Sequence, residues 1–128
     1  MLIDNKQDLI RQKLLAFEYG AKIKVDKSFS NFGGGAANVA VSFARLGFKT
    51  AVLVAVGKDI RSQRIIDNFQ QQGVDISLIQ KTSKAESGFS FLLVAQNNEH
   101  VAFSNRSANN QLRITNYELR IIKDAKWV

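Results

Sequence analysis

Three adjacent glycines stand directly before a run of small apolar residues with helical spacing, in the segment NFGGGAANVAVSFARLGF (31–48). Glycine loses more backbone entropy on ordering than any other residue, so Gly33, Gly34 and Gly35 indicate a local requirement. Backbone N–H groups at the start of a helix attract anions, because the helix N-terminus carries partial positive charge. The glycines would equally suit a sugar contact, a hinge, or a turn that lets a helix pack closely on a sheet. The residues alone leave these alternatives open.

The glycine loop does not match the common nucleotide-binding motifs. A P-loop requires Gly-Lys-Ser/Thr, which does not follow, and Ala36, Ala37 and Asn38 occupy the positions after the triplet where a G-x-G-x-x-G motif would continue. Asn38 falls in the first turn of a helix made otherwise of Ala, Val and Phe, where asparagine is a poor helix former. Its amide offers donors and an acceptor, which suits a ligand with hydroxyl groups. Helix capping is the alternative, but the position lies slightly inside the helix.

The remaining chemistry-bearing residues are isolated from one another. Asp59 is predicted to cap a helix rather than to act as a catalytic carboxylate. Arg106, after a predicted hairpin, is in a position to contact an anion. His100 is the single histidine and the chain has no cysteine, so a histidine triad, a thiolate metal site and a histidine metal cluster are all unsupported. We therefore expect no metal site within these residues.

Composition excludes several classes of protein. The chain has 128 residues, of which 45% are hydrophobic and 23% charged, as in an ordinary globular domain. Its net charge of +7 is dispersed from Lys6 to Lys126 without a basic run, which argues against nucleic acid as a partner. No apolar run is long enough to span a bilayer, so no membrane partner is expected. The absence of cysteine favours a reducing compartment, and we expect a cytoplasmic protein.

Hydrophobic spacing predicts an alternation of helices and strands. A parallel, doubly wound α/β sheet follows from the α-β-α-β order over 36–79. A hairpin interrupts this order, and together with an earlier strand it predicts a small antiparallel sheet. A last strand is expected to begin at AKWV (125–128), as in the first part of a larger α/β protein. In chain order, the predicted elements are helix 5–17, strand 20–27, helix 36–46, strand 50–56, helix 60–72, strand 74–79, strands 88–95 and 100–104, and a helix from Thr115 through Lys123.

The run GGGAANVAVSFARLGFKTAVLVAVGKD (33–59) resembles the N-terminal signature of the pfkB, or ribokinase, family of carbohydrate kinases. That signature has two glycines, three residues, an asparagine, an alanine-rich helix, Leu-Gly, an apolar strand and Gly-x-Asp. The likeness continues through FQQQGVDIS (69–77) and through RSANNQLRITNYE (106–118). A motif of this length, in order and in the right strand–helix context, is far more specific than a lone glycine loop.

The resemblance implies a fold and a domain organisation. The fold would be a partial ribokinase-like doubly wound sheet with a small antiparallel β lid. An N-terminal helical segment would cover 1–18, the lid 19–32 and 88–105, and the α/β core 33–87 and 106–128, with the C-terminal half of the family fold absent. In relatives the lid closes over the substrate and often forms a dimer contact, so a homodimer through the lid is one expectation.

The resemblance also implies a function, the ATP-dependent transfer of a phosphoryl group to a hydroxyl of a sugar or nucleoside. Gly33 and Gly34 would lie beside the sugar as contact and hinge, and Asn38 would hydrogen-bond its hydroxyls. Gly35 and Arg106 complete the expected substrate-binding set. The family's Gly-Ala-Gly-Asp segment, which supplies the catalytic base and anion hole, is absent, as is the half that holds ATP and Mg²⁺. This chain alone is therefore expected to be inactive.

Some positions depart from the family pattern. Ser62 and Ser107 stand where glycine is usual, and Gly35 stands where some members have lysine, so the identity of the sugar is not specified. Nothing within 1–18 matches the family's first core strand with its sugar-binding aspartate. The alternative function is therefore a non-catalytic sugar-binding or dimerising module, or a truncated kinase remnant.

Overall fold

Helices and short strands alternate along the part of the chain that the computed structural model describes, residues 16–95 and 98–128. The predicted helix 5–17 lies outside the described residues except for Ala16 and Phe17, which are not helical. None of the helices in the described part is long and apolar enough to cross a membrane. The elements are α1 (Gly35–Arg45), β1 (Ala55–Gly57), α2 (Ile60–Gln71), β2 (Gln80–Thr82), β3 (Phe89–Val94), β4 (His100–Asn105), a 3₁₀ helix (Ser107–Gln111) and α3 (Asn116–Asp124).

The expected parallel pairing is present. β1 and β2 run parallel, with Ala55 opposite Gln80, and an isolated parallel bridge joins Ala51 to Asp75 further back along the two segments. The predicted strand 50–56 is thus regular only at its end. Because parallel strands need a crossover, α2 between β1 and β2 is the helix that connects them.

The prediction of a strand over 74–79 is wrong, because these residues form a turn instead of a regular strand. Asp75 accepts a hydrogen bond at 2.8 Å from the Ser77 backbone N–H, and the Ile79 N–H donates to the Ile76 carbonyl at 3.0 Å. This Asx turn bends the chain before β2 begins. The alternating pattern still buries Val74 and Leu78, because a turn can direct apolar side chains inward as a strand does.

The hydrophobic core lies between α1, α2 and the parallel segments. Ala40 of α1, Val52, Phe69 of α2 and Val74 form its buried centre. Each of these two helices ends as predicted, with a glycine in the left-handed region just beyond it; the φ angle is 87° at Gly47.

Two predicted strands do not form. Residues 20–27 and 125–128 are in no strand, although both have strand-like sequences. A strand requires a hydrogen-bonded neighbour, and within the described residues the β3–β4 sheet takes no third strand on either outer edge. Phe91 lies opposite Phe103 in that sheet. Ile23 and Val25 are 55% and 64% exposed. The small antiparallel sheet therefore has two strands in this structure rather than three.

The predicted capping box opens α3. Thr115 and Glu118 make the reciprocal bonds of that motif, including one at 2.8 Å from the Thr115 N–H to the Glu118 carboxylate. The Gln80 side chain of β2 also donates to Glu118, at 3.1 Å. The hydrogen bond from the Thr115 hydroxyl is the largest of the effects that hold the pKa of Glu118 below its ordinary value. The box thus fixes the start of α3 against the parallel sheet.

Candidate functional site

The glycine loop leads directly into α1. Gly34 occupies the cap position with a φ angle of 100°, and its carbonyl accepts the first helical hydrogen bond, from the Asn38 N–H at 2.9 Å. A glycine cap has no side chain, so the first N–H groups of α1 receive no side-chain capping bond. Gly33, Gly34, Gly35 and Asn38 are all exposed. The structure therefore brings together four of the five predicted substrate-binding residues on one accessible turn.

Only one of the three glycines is required by the local backbone. Gly34 needs its left-handed φ, which other residues rarely adopt. Gly33 and Gly35 have no such φ, and a Cβ added at any of the three would meet no atom within 4 Å. Neither backbone conformation nor packing within the described residues accounts for glycine at positions 33 and 35.

An open groove of about 450 Å³ lies beside this turn, between α1 and α2. Asn38 lines it, but the three glycines do not. Across the groove, the Arg45 Nε donates to the Gln72 side chain at 2.7 Å, joining the ends of the two helices. Its lining is mostly polar and consists of Asn31, Phe32, Ala37, Asn38, Val41, Ser42, Arg45, Asn68 and Gln72. Amide and hydroxyl groups of this kind can hydrogen-bond a ligand with several hydroxyls.

Arg106 lies on a different element from the other predicted site residues. It follows β4 and precedes the 3₁₀ helix, and its carbonyl accepts a hydrogen bond from the Asn109 N–H at 2.8 Å. The side chain is exposed and does not line the groove. Its neighbour Ser107, at a position where the family usually has glycine, has a left-handed φ of 38°. A φ in this region favours glycine, so the serine here carries some backbone strain.

The Asp59 carboxylate accepts hydrogen bonds from two different segments of the chain. It caps α2, as predicted, by accepting from the Ser62 N–H at 2.8 Å. It also accepts from the Ser87 N–H at 2.6 Å and from the Ser87 hydroxyl at 2.9 Å. Partial burial raises the pKa of Asp59, but these hydrogen bonds and the nearby Arg61 guanidinium together outweigh burial, so the pKa lies below its ordinary value.

The bonds to Ser87 were not expected from the sequence. Gly57-x-Asp59 was a visible signal, because such a glycine indicates close backbone approach. A Cβ at Gly57 would lie 2.6 Å from the Ser87 nitrogen. The partner itself is 28 residues away from Asp59 in sequence, and local pattern does not identify contacts at that separation.

No group of three or more Asp, Glu or His side chains within 16–95 and 98–128 is placed to hold a metal ion. The glycine loop likewise lacks the lysine that a P-loop places on nucleotide phosphates.

Comparison with known proteins identifies the family. Residues 2–128 match the pfkB family of carbohydrate kinases. The chain belongs to this family. The ribokinase of Haemophilus influenzae is 35% identical over 81 residues, which cover 63% of this chain and 26% of that protein. The 5-dehydro-2-deoxygluconokinase of Clostridium botulinum is 32% identical over 106 residues, covering 80% of this chain and 31% of that protein.

A solved pfkB-type structure has the same fold. The fructokinase of Xylella fastidiosa with bound ATP is 30% identical, with a TM-score of 0.61 over 72% of this chain and 30% of that one. The predicted fold class, a ribokinase-like α/β sheet with a small antiparallel sheet, is thus confirmed. The chain spans about a quarter to a third of the length of the ribokinase and the 5-dehydro-2-deoxygluconokinase.

Proposed function

We propose that these residues are the sugar-binding part of a carbohydrate kinase that transfers the γ-phosphoryl group of ATP to a hydroxyl of a sugar. In this proposal Gly33, Gly34, Gly35 and Asn38 contact the sugar, and the hairpin β3–β4 forms a lid over it. Arg106, exposed at the end of β4, contacts an anionic group of the substrate. The family match and the names of the relatives, ribokinase and 5-dehydro-2-deoxygluconokinase, support this class of reaction.

The proposal rests mainly on the glycines at positions 33 and 35. Both are costly to order, and neither has a left-handed φ or a neighbour that a Cβ would strike. A ligand that lies directly against the backbone would explain them, because a side chain at either position would then occupy the space of the ligand. Asn38, one turn into α1, offers both donor and acceptor groups for sugar hydroxyls.

We propose that the catalytic base and the ATP and Mg²⁺ sites lie in residues outside this chain, so that the 128 residues alone do not phosphorylate a sugar. The relatives extend well beyond the matched region, which is 26% of the ribokinase and 31% of the 5-dehydro-2-deoxygluconokinase. Phosphorylation of any sugar by the purified 128-residue chain would contradict this part of the proposal.

Calorimetric titration with D-ribose, D-fructose, 5-dehydro-2-deoxy-D-gluconate and adenosine tests the binding site. One of the sugars should bind, and Gly33→Ala should weaken that binding at least about tenfold, since a methyl group would fill the contact surface. The same substitution should leave the free energy of unfolding within about 0.5 kcal/mol of the unmodified value. Binding of adenosine alone would replace the sugar with a nucleoside as substrate.

Asn38→Ala and Asn68→Ala form a matched pair, because both side chains line the groove but only Asn38 is next to the glycine loop. The proposal expects weaker sugar binding for Asn38→Ala and unchanged binding for Asn68→Ala. Equal losses would place the ligand in the groove between the helices instead. No loss in either variant would refute the assigned site.

The second candidate is a non-catalytic sugar-binding module, for which the groove lined by amide and hydroxyl groups beside the glycine loop is the supporting observation. The intact mass of the natural product distinguishes the two. A mass well above 14.3 kDa supports the kinase, and the added sequence should then contain a Gly-Ala-Gly-Asp segment. A mass near 14.3 kDa supports the module.

We also propose that the hairpin forms a homodimer contact. Phe89 and Phe91, which lie on one face of β3, are 47% and 55% exposed, and neighbouring exposed apolar side chains are typical of interaction surfaces. Sedimentation equilibrium should show a dimer that Phe91→Ser dissociates. A monodisperse monomer would contradict the proposal.

A further inference from the structure

Both ends of the hairpin are anchored at one place on the core. β3 begins at Phe89, two residues after Ser87, and β4 is followed by Arg106 and the 3₁₀ helix. The Ala108 N–H donates to the Glu86 carbonyl at 2.9 Å, and Ala108 is fully buried. A Cβ at Gly88 would lie 2.9 Å from the Arg106 carbonyl oxygen. The two segments that join the hairpin to the core, one before β3 and one after β4, therefore contact each other closely; they are called its roots below.

Ser87 is held by the core from two sides. Its N–H and hydroxyl both donate to the Asp59 carboxylate, at 2.6 and 2.9 Å, and its hydroxyl oxygen accepts from the Gly57 N–H at 3.0 Å. Gly57 ends β1 and Asp59 caps α2, so one buried serine connects the sheet, the helix and the first root of the hairpin.

Arg61, in the first turn of α2, contacts the residues on either side of Ser87. Its guanidinium binds the Glu86 carboxylate at 2.6 Å, and it lies over the Phe89 ring at 5.2 Å from the ring centre. The first turn of α2 and its cap thus contact Glu86 and Ser87, which precede β3, and Phe89, its first residue. A helix cap by itself would require only the bond to Ser62.

The strands of the hairpin contribute little to its placement. Phe89, Phe91 and Leu92 are 47%, 55% and 50% exposed. Because little surface is buried along the strands, the direction of the hairpin depends on how its roots are held.

We propose that Asp59 and Ser87 form a clamp that sets the direction in which the hairpin leaves the core, so that Asp59 is a positioning residue for the hairpin as well as a helix cap. The clamp consists of the two Asp59–Ser87 bonds and the Gly57–Ser87 bond. It is independent of what the hairpin covers, and it holds whether or not the chain binds a sugar.

Asp59→Asn separates the clamp from the cap. Asparagine caps helices as well as aspartate, so the Ser62 N–H keeps an acceptor. The amide oxygen also keeps the bond from the Ser87 hydroxyl, because that hydroxyl and the Ser62 N–H share one carboxylate oxygen. The amide nitrogen replaces the other oxygen and carries hydrogens, so it cannot accept from the Ser87 N–H. Ser87→Ala removes the hydroxyl and keeps the backbone N–H bond. Asp75→Asn is the control, since Asp75 makes a similar bond, to Ser77, in an exposed turn away from the hairpin.

Distances between spin labels report the direction of the hairpin. The chain has no cysteine, so Ala102→Cys on β4 and Arg64→Cys on α2 label two exposed positions uniquely. The distance distribution should broaden about twofold in Asp59→Asn and in Ser87→Ala, with unchanged helix content by circular dichroism, and stay narrow in Asp75→Asn. An unchanged distribution in Asp59→Asn, or equal broadening in Asp75→Asn, overturns the proposal.

Hydrogen exchange of the unmodified chain gives a second test that does not depend on any variant folding. The clamp predicts that the Ser87 N–H exchanges at least about 100-fold more slowly than in an unfolded chain. An unprotected Ser87 amide overturns the proposal.

Discussion

Replacing Gly57 by alanine should destabilise the chain because the added methyl group has no room. Its Cβ would lie 2.6 Å from the Ser87 nitrogen, 2.7 Å from the Ala85 carbonyl oxygen and 2.7 Å from the Glu86 carbonyl carbon. These three atoms belong to the backbone, so rotation of a side chain cannot relieve the contact. Restoring ordinary contact requires the segment 85–87 to move by roughly 0.8 Å.

That movement has a calculable cost. Overpacking of a tight site costs about 1–3 kcal/mol. The Gly57–Ser87 bond, already 3.0 Å long, would be lost, at about 1 kcal/mol. We therefore expect Gly57→Ala to lower the free energy of unfolding by about 3 kcal/mol, a large part of the stability of an ordinary domain.

Gly35→Ala is the matched control. Gly35 is the first residue of α1, and a Cβ there would meet nothing within 4 Å. Alanine is the better helix former, so this variant should be unchanged or up to about 1 kcal/mol more stable. Urea denaturation followed by circular dichroism measures both. A Gly57→Ala variant within about 0.5 kcal/mol of the unmodified chain would refute the reasoning, as would equal losses in the two variants.

Three further perturbations follow from the backbone and the carboxylates. Gly34→Ala should cost about 1–3 kcal/mol in urea denaturation despite open space around it, because its φ of 100° and ψ of 139° are rarely adopted by residues with a side chain; a neutral result would mean that the loop readily adopts another conformation. Ser107→Gly should raise the free energy of unfolding by up to about 1 kcal/mol, since it relieves a φ of 38°, and a lower melting temperature would contradict this. The folded-state pKa of Asp59 is lowered, so its contribution to stability is complete above the ordinary value of 3.8 and is lost as the pH falls through the lower folded-state pKa. Asp59→Asn should flatten the loss of stability that is expected as the pH falls from roughly 5 through the lowered folded-state pKa, and an equally steep loss in that variant would argue against the assignment.

Local signals in the sequence predicted the ends of the helices well. Gly47 after α1, the Asp59 cap of α2 and the Thr115–Glu118 capping box are all confirmed. Each depends on residues within a few positions of one another, so the physics is contained in a short stretch of chain. The parallel pairing was also predictable, because a helix between two apolar segments leaves few other arrangements.

The predicted strand 74–79 failed through a local Asx turn at Asp75 and Ser77, whereas the other errors concern interactions between distant segments. The alternation of apolar and charged residues at 20–27 is a property of one segment, but a strand also needs a neighbour to accept its hydrogen bonds, and β3 and β4 pair with each other. The Asp59–Ser87 contact was missed for the same reason. A sequence pattern specifies which face of a segment is apolar, and it does not specify the segment that the face will contact.

The glycines show how the structure refines a question that the sequence only raises. The sequence indicates a requirement for glycine at four positions without identifying its cause: Gly33, Gly34, Gly35 and Gly57. The structure assigns Gly34 to backbone conformation and Gly57 to close packing against Ser87. Gly33 and Gly35 fall in neither class. Stability and binding measurements should therefore give opposite results for Gly57 and Gly33. Alanine at Gly57 should lower the free energy of unfolding, whereas alanine at Gly33 should leave folding intact and weaken sugar binding. If alanine at Gly33 instead harms folding as much as alanine at Gly57, the loop is a structural turn and the assignment of a ligand to it fails.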